Sequence, residues 1–276
     1  VVDLSREFID SAGARHYAEA KVGDVENRNP FVREIAGDTL AARFENNLRD
    51  NNVVSQRGLV EMFDSTIGAS TVLMPFGGRT QGSETQVSVQ KLPTDGYTDT
   101  ASIMAFGYNP FIASWSPYHG AAYAVVEAAA KVVAAGARYD RMRYSYQEYF
   151  ERMTKNPESW GKPLGALPSI GGKDSMSGTF QHINVPPMLM AFGITTVDAG
   201  TVISTDFKKA GSRIYLVRHT PKENYMPDTA QLKANFGFVS GQIESGKILS
   251  AWSVGFGGVA EGLAKMAFGN RIGAEV

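Results

Sequence analysis

The chain has 276 residues, 43% of them hydrophobic, with 27 lysines and arginines against 28 aspartates and glutamates. This length and hydrophobic content are enough for one large or two smaller domains with hydrophobic cores. The net charge of −1 gives the protein no overall attraction to nucleic acid or to an anionic membrane. There is no cysteine, which excludes disulfides, thiolate zinc sites and a cysteine nucleophile and agrees with a cytoplasmic location.

The first 50 residues have the pattern of an attachment rather than a domain. The opening VVDLSREFID is strand-like and lacks the basic and apolar regions of a signal peptide, and no apolar run of the chain reaches the roughly 18 residues of a membrane span. A polar stretch, residues 21–38, is typical of a linker. The segment TLAARFENNLRD then predicts a short helix with Leu40, Phe44 and Leu48 on one face.

Residues 51–202 are predicted to form a domain of strands and helices. Three strands are expected at 70–78, 85–92 and 100–110, followed by an alanine-rich helix. Ser116 suits the N-cap of this helix, Pro117 its first position and Gly136 its C-terminal cap. A second helix is predicted from SYQEYFERM, the start of a third from WGKPLGAL, and a strand from PPMLMAFGITTV.

Residues 203–276 are expected to be the start of a second domain, which is incomplete. GSRIYLVRH predicts a strand, and GKILSAWSVGFGGVAEGLAKMAFGN predicts a strand, a glycine turn and a helix. WGKPLGAL passes directly into PSIGG without a turn signal, and the sequence alone leaves open whether residues are missing near 167–168.

The loop PSIGGKDSMSGTF is the first candidate for chemistry. Gly171 and Gly172 permit backbone conformations in which consecutive N–H groups surround an anion, Lys173 adds a positive charge, and Ser175 adds a hydroxyl. The spacing is not that of a P-loop. A tight glycine turn with solvated polar side chains remains the alternative interpretation.

Three other features have a chemical and a structural interpretation. Glu127 could hold magnesium beside a nucleotide, or it could pair with Lys131 at i, i+4, which is worth only about 0.2–0.5 kcal/mol. The turn Gly255–Gly258 opens a helix that could bind an anion, although close strand–helix packing also requires glycine. The four histidines show no metal-ligand spacing, and only His119, in the first turn of the alanine-rich helix, merits attention.

Several of these segments together resemble phosphoribosylformylglycinamidine synthase of the large, single-chain type. The resemblance begins at about residue 50 and is strongest in GLVEMFDSTIGASTVLMPFGG, SPYHGAAYAVVEAAAKVVAAGA, GGKDSMSGTF and GFGGVAEGLAKMAFGN. It implies a mixed α+β or α/β fold, with a sheet packed by helices, in the two-domain module of the aminoimidazole-ribonucleotide-synthetase-like superfamily. The chain corresponds to the second such module with a truncated C-terminal domain, and residues 1–30 to the end of the preceding subdomain.

The resemblance also implies an activity and its partners. The family converts formylglycinamide ribonucleotide, ATP and glutamine to the amidine, ADP, phosphate and glutamate, with ATP and magnesium as cofactors. Its catalytic histidine and most ATP contacts belong to the first module, and a separate glutaminase domain supplies ammonia. The expected partners of this chain are therefore that module and the glutaminase domain, and the isolated chain is expected to be inactive.

By the same resemblance, the loop at Gly171, Gly172, Lys173 and Ser175 completes the catalytic nucleotide site of the first module. The family loop of the small enzyme type reads Gly-Asn-Val-Ser, so Lys173 replaces an asparagine. An ammonium group can contact phosphate but cannot ligate a metal.

A second, auxiliary nucleotide site of the family is degenerate in this chain. Only Glu127 of the expected magnesium ligands remains, Lys131 stands where the family has an asparagine, and Phe256 stands where it has an aspartate. The strand aspartate falls near Thr85 or Gln86. Magnesium requires several hard oxygen ligands, so no metal is expected in this site.

Two other functions are consistent with the sequence. The module could be a structural copy that supports the catalytic half without a ligand. It could also be another superfamily member, such as a selenophosphate synthetase-like or thiamine-phosphate kinase-like enzyme, but those need an acid-rich metal site that this chain lacks. An isolated module would leave an apolar sheet face uncovered, which predicts a symmetric homodimer.

Overall fold

The computed structural model describes residues 2–11, 17–63, 65–166 and 173–276, and it describes residues 173–177 by their backbone. The helices are α1 (Arg6–Ser11), α2 (Leu40–Arg49), α3 (Arg57–Val60), α4 (Pro110–Trp115), α5 (Pro117–Ala134), α6 (Pro157–Ala166), α7 (Thr229–Glu244) and α8 (Gly258–Phe268). The strands are β1 (Phe76–Gly77), β2 (Ser83–Glu84), β3 (Ser88–Lys91), β4 (Thr100–Gly107), β5 (Arg143–Phe150), β6 (Lys173–Ser177), β7 (Thr179–Phe180), β8 (Ile183–Asn184) and β9 (Met188–Asp198).

The largest sheet has five strands in the order β3-β4-β9-β5-β6. Neighbouring strands are antiparallel except β5 and β6, which are parallel, so the sheet is mixed and open. The strands β1 and β2 form a small separate hairpin, as do β7 and β8. This architecture confirms the predicted fold class of a mixed sheet packed by helices.

Helix α5 covers one face of the sheet and begins and ends as its sequence predicts. The Ser116 side chain accepts a hydrogen bond from the His119 N–H at the N-terminus, and Pro117 occupies the first turn. At the other end Gly136 has φ +108°, and its N–H donates to the Val133 carbonyl while the Ala137 N–H donates to the Val132 carbonyl. This pair of bonds satisfies two terminal carbonyls and turns the chain away from the helix.

Small residues bring α5 very close to strands β4 and β9. A Cβ atom added at Gly107 would lie 2.0 Å from the Ala124 carbonyl oxygen, so the strand backbone contacts the helix backbone there. Ala128 and Val132 of the helix are fully buried against the sheet, together with Ile103 of β4. The alanine content of α5 therefore sets the distance between the two layers.

The opposite face of the sheet is apolar and uncovered in the described part of the chain. Met104 lies opposite Ile194, and Phe106 lies opposite Phe192, so these four side chains form one continuous patch, the open sheet face. Phe106 is 50% exposed. An apolar patch of this kind is typical of an interface.

The predicted helix SYQEYFERM is wrong, because residues 143–150 form strand β5. This strand pairs antiparallel with β9 over seven residues and parallel with β6. Tyr144 and Tyr146 recur with period two and stack on the helix-covered face, where both pack against buried residues of α5 and the sheet. Pairing on both sides and the strand preference of aromatic residues outweigh the helical pattern.

Several other predicted elements agree with the structure only in part. Of residues 70–78 only Phe76–Gly77 is strand, residues 211–219 and 246–254 have no strand, and the N-terminal strand-like stretch contains α1. Helices α4 and α7 were missed: the sequence analysis ended a strand at residue 110, where α4 begins, and predicted no element for residues 229–244. Helix α2 was correctly predicted, but its buried residue is Asn47, and Leu40 is 86% exposed. The domain limits near residues 50 and 202 stay a prediction.

Candidate functional site

The described part of the predicted anion-binding loop begins in a strand at an edge of the large sheet. Gly171 and Gly172 are outside the described residues, whereas Lys173 and Ser175 belong to the backbone of β6, the last strand of the sheet. Lys173 is opposite Gln147 and Met176 is opposite Tyr149, so the register shifts by one residue between these pairs. Such an irregularity leaves a residue unpaired and is common near binding sites.

The second candidate, Glu127, forms an ion pair on the surface of α5. Its Oε1 lies 2.7 Å from the Lys131 Nζ, and its Oε2 accepts a hydrogen bond of 3.2 Å from the Tyr108 N–H. The Lys131 Nζ also donates to the Phe106 carbonyl at 2.9 Å and lies 4.5 Å from the centre of the Phe106 ring. Burial raises the pKa of the neighbouring Tyr108 phenol to about 12, so this group stays neutral at physiological pH.

The third candidate, Phe256, lies in an aromatic stack. Its ring is 4.5 Å from that of Phe111 and nearly parallel to it, and the Arg33 guanidinium lies 4.2 Å from its centre. Arg33 also pairs with Asp50 and donates to the Asn47 side chain, which in turn donates to the Gly257 carbonyl. The glycine turn before α8 is therefore held by the segment around α2.

Thr85 and Gln86 are the residues nearest the position where the family resemblance implies a strand aspartate. Both side chains form hydrogen bonds with backbone groups. The Thr85 hydroxyl donates to the Met74 carbonyl at 2.7 Å. The Gln86 amide donates to the Ser253 carbonyl and accepts from the Ser253 N–H, at 2.9 and 2.8 Å. The two bonds of Gln86 connect the loop between β2 and β3 to the segment before α8. A small cleft beside them is lined in part by Lys131 and Ala251.

A buried ionic cluster on α8 was missed by the sequence analysis. The Lys265 Nζ lies 2.7 Å from Glu84 Oε2 and 2.8 Å from Glu261 Oε1, and the Lys265 side chain is only 8% exposed. The other Glu261 oxygen accepts from the Gly257 N–H at the start of the helix. The i, i+4 spacing of Glu261 and Lys265 was a visible signal, but nothing in the sequence indicated their burial or the third member, Glu84.

His119 has a structural role at the start of α5. Its Nε2 donates to the Asn224 carbonyl at 2.9 Å, while its Nδ1 lies 2.7 Å from the Ser116 hydroxyl. Because both ring nitrogens have hydrogen-bond partners, the imidazole connects the loop at residues 222–226 to the start of α5.

The fold is that of an α+β module in which helix α5 covers one face of a five-stranded mixed sheet and the other face is open. Comparison with known proteins then points to a particular relative. The chain is 28% identical to phosphoribosylformylglycinamidine synthase subunit PurL of Thermoplasma volcanium and 26% identical to that of Thermoplasma acidophilum, over its whole length in each case. It spans about 39% of the length of these relatives.

Among solved structures, Thermotoga maritima PurL complexed with ATP superposes with a TM-score of 0.56 at 16% identity. The match covers 97% of this chain and 40% of that protein, which supports the fold assignment. No family model matches the chain. The resemblance to phosphoribosylformylglycinamidine synthase inferred from the sequence motifs is confirmed by these comparisons.

In the described residues, no helix is long and apolar enough to cross a membrane.

Proposed function

We propose that this chain is a module of an enzyme that converts formylglycinamide ribonucleotide to the amidine with ATP as the activating substrate. The observation that carries the proposal is the alignment with the PurL subunit of Thermoplasma volcanium, which extends over 100% of the chain at 28% identity. The superposition of 97% of the chain on Thermotoga maritima PurL complexed with ATP adds support.

In this proposal the contribution of the chain to catalysis comes from the loop at Gly171, Gly172, Lys173 and Ser175. The loop enters the first residues of β6, at the outer edge of the sheet, where a neighbouring module can approach it. Backbone N–H groups at the glycines, the Lys173 ammonium and the Ser175 hydroxyl are suitable donors to phosphate oxygens of ATP held by that module. They would bind and orient the nucleotide, whereas the nucleophile and the proton-transfer groups belong to other parts of the enzyme.

The ion-pair contacts of Lys131 favour a supporting role for the rest of the module. An open apolar sheet face and an aromatic stack around Phe256 are features of a scaffold rather than of a second reaction centre. The alternative in which the whole chain is a scaffold without a ligand differs from the proposal only at the loop, so the loop is the place to test it.

The decisive experiment replaces Lys173 or Ser175 by alanine in the complete polypeptide that carries residues 1–276. With formylglycinamide ribonucleotide, magnesium–ATP and ammonium chloride as the nitrogen source, we expect kcat/KM to fall about 10- to 100-fold, the value of one or two charge-assisted hydrogen bonds. The exposed Lys155, changed to alanine, is the matched control. An unchanged rate in both loop variants with normal folding would support the scaffold alternative instead.

The proposed partners are a sister module and an ammonia-supplying glutaminase unit. The open sheet face is the surface we assign to the sister module, since its apolar side chains lie on the face of β4 and β9 that α5 does not cover.

In the absence of that partner, the chain with residues 1–276 is expected to dimerise through the same face. Changing Phe106 and Ile194 to lysine should convert the dimer to a monomer, because the charges would be desolvated in the interface. Light scattering after gel filtration measures the mass. The control is a change of Leu164 to lysine, because Leu164 is exposed on α6. A monomeric parent chain, or a dimer that survives both substitutions, argues against the assignment.

A further inference from the structure

Glu127 and Lys131 lie where the family resemblance implies an auxiliary magnesium–nucleotide site, and their contacts test whether such a ligand fits. The Glu127 carboxylate is one-quarter exposed, and each of its oxygens already accepts a hydrogen bond, one from Lys131 and one from the Tyr108 backbone. A magnesium ion on this carboxylate would lie within a few ångströms of the ammonium group. The repulsion between a dication and a cation at that distance is twice that between two single charges.

The Lys131 ammonium is fixed on several sides. It contacts the Glu127 carboxylate at 2.7 Å, the Phe106 carbonyl at 2.9 Å and the face of the Phe106 ring, and its side chain is only 12% exposed. A cation with a carboxylate oxygen and a carbonyl oxygen around it has the ligand types that a hard metal ion would take. The ammonium therefore has the surroundings of a bound cation.

The other side chains near this position offer no replacement ligands. Thr85 and Gln86 are engaged with backbone groups, and the Phe256 ring is in contact with Phe111 and Arg33. Within residues 2–11, 17–63, 65–166 and 173–276, no three histidine, cysteine, aspartate or glutamate side chains converge as a metal site. A magnesium–nucleotide of the family type does not fit these residues.

From these contacts we propose that Lys131 is a covalently attached substitute for an exchangeable metal ion. The site is closed by the residues of the chain itself, and it binds neither magnesium nor a magnesium–nucleotide. The inference does not depend on the proposed function, because it concerns contacts within residues 106–131 and ligand binding rather than activity. The inference also gives Lys131 a role that an ordinary surface lysine of a helix does not have. Lys131 balances the charge of Glu127, and its hydrogen bond to Phe106 connects α5 to the end of β4.

Thermal unfolding of the chain with residues 1–276 tests the inference. Addition of about 10 mM MgCl2, alone or with ADP, should leave the midpoint of the parent chain unchanged. Changing Lys131 to asparagine should lower the midpoint by about 5 °C, because Glu127 loses its counter-ion. Magnesium should then raise the midpoint of K131N by about 2 °C or more, since the carboxylate becomes available to a metal. The double variant E127Q/K131N is the control and should not respond to magnesium.

Two results would overturn the inference. A magnesium–ADP stabilisation of the parent chain that disappears in E127Q would show that the site accepts a ligand despite Lys131. A K131N variant that is destabilised but insensitive to magnesium would show that Lys131 is only a structural lysine. The measurement on the parent chain shows whether the site accepts magnesium–ADP even if K131N does not fold.

Discussion

Changing Lys265 to methionine is expected to lower the free energy of unfolding by about 3–5 kcal/mol. The ammonium of Lys265 lies between the carboxylates of Glu84 and Glu261, and both the lysine and Glu261 are nearly buried. Methionine has a similar volume but no charge, so the two carboxylates would be left close together without a cation. Urea unfolding followed by circular dichroism measures the change, and the thermal midpoint should fall by about 10 °C.

Two further variants separate the loss of charge from the loss of packing. The triple variant E84Q/E261Q/K265M removes all three charges and should recover much of the stability, because neutral groups cost less to bury than unpaired carboxylates. The second variant is a control at Lys21, whose side chain is 68% exposed beside Glu158. Changing Lys21 to methionine should alter the free energy of unfolding by less than about 0.5 kcal/mol. If K265M were as stable as the parent chain, the buried cluster would contribute nothing to the docking of α8.

Changing Gly107 to alanine is expected to destabilise the chain by about 3 kcal/mol. The added Cβ would lie 2.0 Å from the Ala124 carbonyl oxygen and 2.8 Å from the Ala128 nitrogen, which are both backbone atoms of α5. A flexible side chain could move aside, but here the helix as a whole must shift away from the sheet. The same urea titration reports the loss.

Gly237 in α7 is the control for this substitution, because an added Cβ there meets nothing within 4 Å. Alanine at that position should stabilise the chain by about 0.5–1 kcal/mol through the higher helix propensity of alanine. Equal effects of G107A and G237A would contradict the close packing of α5 against β4.

Local signals predicted the elements whose ends are encoded by capping residues. Ser116, Pro117 and Gly136 delimit α5 correctly, and Thr39 caps α2, since each of these residues satisfies or replaces a backbone hydrogen bond within a few positions. Strand β9 was recognisable from its length and its apolar residues. These predictions succeeded because the interactions involved are short in sequence.

The failures involve partners that are distant in the chain. The segment SYQEYFERM, residues 145–153, predicts a helix, but residues 143–150 form a strand because β9, more than 35 positions away, supplies the hydrogen bonds. In the candidate site, too, local contacts were predicted and distant contacts were not. The pairing of Glu127 with Lys131 followed from i, i+4 spacing, but the Phe106 carbonyl and the Tyr108 N–H that complete it come from the end of β4.

By itself, the amino-acid sequence determined the family resemblance, the mixed α+β class and the main capped helices, and through the resemblance it predicted the loss of metal ligands at Lys131 and Phe256. Those conclusions need only residue identity and near-neighbour spacing. Tertiary structure alone decided that Lys265 is a buried cation, that Gly107 is in contact with a helix backbone, and that one apolar sheet face stays open. The reason is physical: burial, desolvation and steric contact depend on which distant segments pack together, and that information is not present in any short stretch of the chain.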